Sequence, residues 1–175
     1  MKNIVLTRID DRLLHGQVIV SWIPFLNIDE IVIVDDEYAS DEFMASLIKE
    51  AAPDYIEVKV LSIEKSAEYL NSGDAGTKLL LLSRYVENIE KLIELNVKIE
   101  KVNIGGLGSC EGRKKFVNAI HMSDAELDIL KNIAGKGIAV EVQMLPRDRA
   151  IILKWWGNLY DCFKFNIAKL VIFLV

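Results

Sequence analysis

The sequence predicts a doubly wound α/β domain, with a mostly parallel sheet of about six to seven strands and helices on both faces. Three observations lead there. Short, near-continuous aliphatic runs recur along the chain, as at residues 31–34 and 79–82, and such runs suit strands buried on both faces. The stretches between them carry apolar residues at steps of three and four, the spacing of one helix face. Strand and helix patterns alternate, which calls for parallel strands joined by covering helices.

The elements follow in chain order. Ile4, Val5 and Leu6 open the first strand, and a charged loop follows over residues 8–17. The apolar stretch 18–23 reads as a helix ending before Pro24, because the residue preceding a proline is pushed out of the helical region. Residues 31–34 form the second strand. Phe43, Met44, Leu47, Ile48 and Ala51 recur at helical steps, with Ser40 as N-cap and Pro53 as the stop. Residues 58–61 are the third strand, 62–70 a helix, 79–82 the fourth strand, 86–95 a helix and 102–104 the fifth strand. Ser123-Asp124-Ala125-Glu126 is a capping-box pattern, and Gly135 and Gly137 close the helix it starts. Residues 138–145 supply the last aliphatic run.

Composition narrows the class. The chain has 175 residues, 51% of them hydrophobic, enough to bury about 70% of its unfolded surface without disulfides or a metal. Cys110 and Cys162 fall in no CxxC pair, so a reducing, cytosolic setting is expected rather than a zinc or secreted disulfide scaffold. A net charge of −5 argues against a nucleic-acid-coating protein. The first residues, MKNIVLTRIDDR, carry too short an apolar run for a signal peptide. One domain is expected over residues 1–150, with an atypical apolar tail over 151–175. Of those last 25 residues, 18 are apolar. The longest uninterrupted run, 170–175, is far below the roughly 20 residues of a membrane span. Three readings of the tail stay open: packing on the core or in a homo-oligomer interface, contact with a membrane or its proteins, and an aggregation-prone end.

The chemistry points to the loop after the first strand. In open α/β sheets ligands bind beyond the carboxyl ends of strands, and this loop carries Arg8, Asp10, Asp11, Arg12 and His15. An arginine fork matches phosphate oxygens, and an aspartate beside it can fix the guanidinium. Histidine is nucleophilic when neutral and can accept a phosphoryl group. The sequence His15-Gly16-Gln17 at a helix start sets the imidazole beside backbone donors. A solvated loop histidine is the bland alternative. Asp35 and Asp36, at the second strand's end, either line the crevice or cap the next turn. Arg84 either reaches phosphate or is a surface residue at a helix start. His121, in apolar surroundings, reads as structural.

The run Arg8-Ile9-Asp10-Asp11-Arg12-Leu13-Leu14-His15-Gly16-Gln17 resembles the active-site loop of the IIB components of the mannose–fructose–sorbose family of the bacterial sugar phosphotransferase system (PTS), whose pattern is R-x-D-x-R-x-x-H-G-Q. Trp22, the stretches 31–36 and 60–65, Val102-Asn103-Ile104-Gly105-Gly106-Leu107 and Gly112-Arg113-Lys114-Lys115 extend the resemblance over roughly residues 2–148. It implies that His15 takes a phosphoryl group on Nδ1 from a IIA partner. His15 then passes it to a sugar during uptake by the membrane components IIC and IID. Arg12 would neutralise the phosphoryl charge, Asp10 would orient Arg12 or Arg8, Gly16 would permit close approach, and Gln17 would donate. No metal or cofactor is implied, and the location would be cytoplasmic, at the membrane permease. A IIB-like module that signals sugar flux without transport is the alternative. A receiver domain or a nucleotide- or metal-dependent hydrolase fits worse, for want of a phosphate loop or carboxylate cluster. The tail, with Trp155-Trp156, departs from the family's short polar ending.

Overall fold

In a computed structural model of the chain, residues 1–73 and 76–154 are described, together with the two-residue strand Phe173–Leu174. The expected tail therefore lies almost wholly outside the described residues. The ten strands are β1 (Asn3–Asp10), β2 (Glu30–Val34), β3 (Glu57–Leu61), β4 (Lys78–Ser83), β5 (Lys101–Gly106), β6 (Lys114–Val117), β7 (Ile120–Met122), β8 (Ala139–Val142), β9 (Ile151–Ile152) and β10 (Phe173–Leu174). The helices are α1 (Ile23–Leu26), α2 (Asp36–Ser40), α3 (Glu42–Glu50), α4 (Ile63–Asn71), α5 (Val86–Glu94) and α6 (Asp124–Gly135). The main sheet runs β10-β9-β8-β5-β1-β4-β2-β3. Its body, β8 to β3, is parallel, as the aliphatic runs required. The short strands β9 and β10 add an antiparallel edge, and β6 pairs with β7 in a separate hairpin.

The unbroken aliphatic runs reflect burial on both faces. In β4, Leu79 and Leu81 pack with α4, α5 and α6 on one side, whereas Leu80 and Leu82 join Ile31, Ile33, Trp22 and Ile23 on the other. All four leucines are fully buried, each worth about 1.5–3 kcal/mol of transfer free energy. Two connections govern the site. The chain leaves β1 toward the face covered by α1, but leaves β4 toward α5 on the opposite face. The loops part above the carboxyl end of β1 and open the crevice in which such sheets hold ligands.

Three local expectations are corrected. The segment after His15 does not stop before Pro24. Residues Val18–Trp22 form a π-helical turn that continues directly into α1 with Pro24 inside it. The wide turn relieves the clash a proline ring makes with the preceding carbonyls, and the missing N–H falls where the hydrogen-bond register is already changing. Ser40 is not the N-cap of α3. Its hydroxyl donates back to the Glu37 carbonyl, while Asp41 accepts from the backbone N–H of Phe43 and Met44, a carboxylate being the better partner for two helix-start donors. Leu47 and Phe43 of α3 are also largely exposed, so Ile48 alone of the expected apolar set joins the core beneath that helix.

Gly105 and Gly106, at the end of β5, have a packing reason. A Cβ on Gly105 would fall inside the Arg8 guanidinium, and one on Gly106 would lie 2.5 Å from Asp10 Oδ1. Gly105→Ala is therefore expected to displace a buried charge and to cost roughly 3 kcal/mol or more. Chemical denaturation measures this, with Gly16→Ala as the contrast. At Gly16 an added Cβ meets nothing within 4 Å, and stability should hold or rise slightly.

Candidate active site

The site is built outward from Asp10, the last residue of β1. Its side chain is fully buried. Asp10 Oδ2 accepts from Arg8 Nη2 at 2.9 Å and from Arg12 Nη2 at 3.3 Å. Asp10 Oδ1 accepts from Arg12 Nε at 3.1 Å and from the Arg12 backbone N–H at 3.2 Å. A carboxylate in this position needs such partners, because an unpaired buried charge costs several kcal/mol.

The two arginines differ in what they leave free. Arg8 is wholly buried. It also donates to Asn103 Oδ1 at 2.7 Å and to the carbonyls of Gln143 and Met144, and its guanidinium lies 5.2 Å from the Trp22 ring centroid. Burial lowers its pKa from the ordinary arginine value, while the Asp10 carboxylate opposes that shift. Arg8 thus ties β1 to β5 and to the loop after β8. Arg12 is 46% exposed in its side chain. Held by Asp10 and by Gln17 Oε1 at 3.1 Å, it keeps an open side toward solvent in a fixed orientation.

His15 is 18% exposed in its side chain. Its Nδ1 lies 2.8 Å from the Leu13 carbonyl and its Nε2 lies 3.8 Å from Asp10 Oδ2. A carbonyl can only accept, so this contact requires a proton on Nδ1. Leu13 reaches this position with φ of +50°, a left-handed conformation that leucine rarely adopts. Burial of its side chain among Val18, Trp22 and Leu82 offsets that strain. The Ile19 backbone N–H donates to the His15 carbonyl at 2.9 Å, so the helical segment begins at the histidine itself.

Comparison with known proteins gives the chain's family and its fold. Residues 4–164 match the family model described as "PTS system sorbose subfamily IIB component". The chain belongs to this family. It is 34% identical to the fructose-specific EIIB component of Bacillus subtilis, over 85% of this chain and 91% of that protein. It is equally identical to the mannose-specific EIIAB component of Escherichia coli K12 over 82% of this chain, but that match spans only 45% of the longer protein. The crystal structure of the Escherichia coli N-acetylgalactosamine-specific IIB component 1 superposes with a TM-score of 0.80 at 32% identity, covering 85% of this chain and 97% of that one.

Asp35 and Arg84 pair with each other in this IIB component. Asp35 Oδ1 caps α2 by accepting from the Tyr38 N–H, and its Oδ2 accepts from Arg84 Nε at 2.6 Å. Arg84 also donates to Glu37, and its guanidinium lies between the Tyr38 and Tyr85 rings. Burial works against its charge, but the hydrogen bonds to Asp35 and Glu37 outweigh that and raise its pKa. His121 sits half-buried on β7, away from the loop's hydrogen bonds, with its backbone N–H on the Leu107 carbonyl. Among the described residues no group of His, Cys, Asp and Glu could hold a metal, and no helix is long and apolar enough to cross a membrane.

A second tie to the loop was not read from the sequence. Asp11 Oδ2 accepts from the Gly108 N–H at 2.6 Å and lies 3.8 Å from Arg113 Nη1. Arg113 in turn binds both Glu126 carboxylate oxygens and the Gly108 carbonyl. The motif residues Gly112 and Arg113 were visible, but not their target. Burial alone would raise the Glu126 pKa, whereas Arg113 and the Ser123 cap bring it below the usual carboxylate range. Stability from this pair is thus complete above the unfolded glutamate pKa of about 4.3 and is lost as pH falls through the lower folded value. Glu126→Gln should cost about 1.5–3 kcal/mol at pH 7, and the difference from wild type should shrink in acid, as read by denaturant melts across pH.

Proposed function

We propose that this chain is the phosphocarrier subunit of a bacterial sugar PTS, and that His15 carries the phosphoryl group. The observation that carries the reading is the placement of His15, held by the Leu13 carbonyl, beside the half-exposed Arg12 that a buried carboxylate orients, at the mouth of the crevice above β1. The Escherichia coli relative named EIIAB unites A and B components in one protein, which supports a IIA donor for this chain. In the first step a N–P bond to His15 forms as the donor's N–P bond breaks. In the second a sugar hydroxyl attacks, an O–P bond forms as the His15 N–P bond breaks, the hydroxyl proton passes to water, and His15 leaves as a neutral imidazole with its proton on Nε2.

The chain's residues then have distinct parts. Arg12 offsets charge on the transferring phosphoryl, which is how protein groups accelerate such transfers. Asp10 holds Arg12, Gln17 steadies it from the other side, and Arg8 acts as a positioning residue through Asp10. For transfer through Nδ1, the Nδ1–H···O=C contact with Leu13 must open and the proton must move to Nε2, because only an unprotonated nitrogen attacks. Asp35 and Arg84, bound to one another, serve the crevice wall. IIC and IID are the membrane partners of this reading, and the subunit works at the cytoplasmic face of that permease as a protein-phosphohistidine–sugar phosphotransferase. Relatives named for fructose, mannose and N-acetylgalactosamine fit a carrier whose own residues meet the phosphoryl group.

Incubation with phosphoenolpyruvate, the general PTS proteins and a IIA protein should label the protein once, with an acid-labile, alkali-stable phosphate. His15→Ala should abolish the label and His121→Ala should keep it; label persisting in folded His15→Ala overturns the reading. Arg12→Lys retains charge but loses the planar fork, and the transfer rate should fall about 10²–10³-fold.

A further inference from the structure

We propose that Arg113 is a positioning residue for phosphoryl transfer: through Asp11 it holds the outer side of the histidine loop and so sets where Arg12 and His15 stand. This rests on the phosphocarrier reading. The starting observation is how the Arg113 guanidinium divides its donors. Nε and Nη2 face Glu126, with Nε 3.0 and 3.1 Å from the two carboxylate oxygens. Nη1 is turned the other way, 3.2 Å from the Gly108 carbonyl and 3.8 Å from Asp11 Oδ2. Two-point binding fixes the plane of a guanidinium, so Glu126 decides where Nη1 points. Glu126 is itself fixed, since its Oε2 accepts from the Ser123 backbone N–H at 2.7 Å and from the Ser123 hydroxyl at 2.9 Å in the capping box of α6.

The start of α6 uses the Glu126 edge of this fork, and Nη1 serves the loop. Asp11 meets it from the other side. The Asp11 backbone N–H donates to the Gly106 carbonyl at 2.9 Å, and its Oδ2 accepts from the Gly108 N–H at 2.6 Å. A Cβ on Gly108 would come within 3.0 Å of that same oxygen, so the bare backbone of Gly108 belongs to this clasp. The Arg113 side chain is 12% exposed and that of Asp11 33%, which shields their attraction in part from solvent and salt.

The clasp sits one residue from the chemistry. Asp10 and Arg12 flank Asp11 in the chain, and the Leu13 N–H donates to the Asp10 carbonyl at 2.9 Å, closing a tight turn on Asp11 and Arg12. A shift of Asp11 therefore turns Arg12 against Asp10 and moves the Leu13 carbonyl that holds His15 Nδ1. Asp10 fixes this turn from inside the sheet, and Arg113 fixes it from outside. A misplacement of reacting groups by about 1 Å can cost about 10²-fold in rate.

Arg113→Gln combined with Glu126→Gln removes the guanidinium without stranding a buried carboxylate, and glutamine can still close the capping box. In this variant kcat for transfer from a phosphorylated IIA protein to His15 should fall about tenfold below wild type, with KM within about twofold. Labelling by the small donor phosphoramidate should slow by the same factor. Nitrogen NMR of the unphosphorylated variant should show His15 leaving the Nδ1–H form that the Leu13 carbonyl enforces. Asp11→Ala should reproduce these effects, and joining it to the paired variant should slow transfer no further, because groups that act as a unit are not additive. Lys131→Gln, which breaks an exposed ion pair with Asp128 on the same helix, should match wild type. Unchanged kcat in the paired variant, or losses that multiply when the changes are joined, overturns the proposal. Slowing confined to phospho-IIA also overturns it, since Arg113 would then be a contact for the donor protein. So does slowed transfer with an unaltered His15 nitrogen spectrum. If the paired variant does not fold, Asp11→Ala decides alone, and unchanged kcat or an unchanged spectrum there sinks the idea. Wild-type protein that neither donor labels overturns the phosphocarrier reading itself, and the role of Arg113 with it.

Discussion

The buried pair of Arg8 and Asp10 is the constraint around which the rest is arranged. Both side chains are removed from water at the end of the central strand, where an isolated charge would be untenable. Their needs dictate much of the neighbourhood. Asn103 and the Gln143 and Met144 carbonyls are present as acceptors for one guanidinium. Trp22 supplies a flat face beside it. Gly105 and Gly106 are bare because the two side chains lie on them. Replacing such a pair by hydrophobic residues is often neutral for stability, so its retention points to what the pair holds in place.

What it holds is a loop that would otherwise be loose. Arg12 and the Leu13 backbone are both fixed on Asp10, one through its side chain and the other through the Asp10 carbonyl. Leu13 takes a left-handed turn and directs its carbonyl at the histidine. On the far side, Asp11 and Arg113 fasten the same loop to the segment after β5. Preorganisation of this kind means that little has to reorganise when charge develops on a phosphoryl group. The imidazole is the exception, since its Nδ1 contact must open, and it is also among the few groups here that can turn without disturbing the core.

The parallel sheet was legible because burial on both faces leaves an unmistakable mark, as in Leu79–Leu80–Leu81–Leu82. The family motif located the histidine loop, and its side chains Arg8, Asp10, Arg12, His15 and Gln17 each have a hydrogen-bond partner there, whereas Gly16 answers no packing need within the chain. Other features left no local mark. A π-turn that carries the helix through Pro24 looks like a helix stop. The β6–β7 hairpin reads as a polar stretch of lysines and glycines. Arg8 resembled a phosphate ligand, since burial of an arginine depends on partners that lie 95 and 135 residues away in the chain. Long-range partners are the information a single sequence withholds.

Charge balance explains why such a site suits a carrier better than a trap. Arg8 and Asp10 cancel within the core, and Arg12 and Asp11 carry opposite charges, so the loop residues 8–12 have no formal net charge. Each added cation a few ångströms away would deepen phosphate binding by about 1–4 kcal/mol, depending on exposure, and would slow release by up to several hundredfold. Arg84, another arginine at this end of the sheet, is neutralised by Asp35 and Glu37. On the phosphocarrier reading that withdrawal is useful. One oriented, half-exposed guanidinium beside the histidine stabilises the moving phosphoryl in both directions.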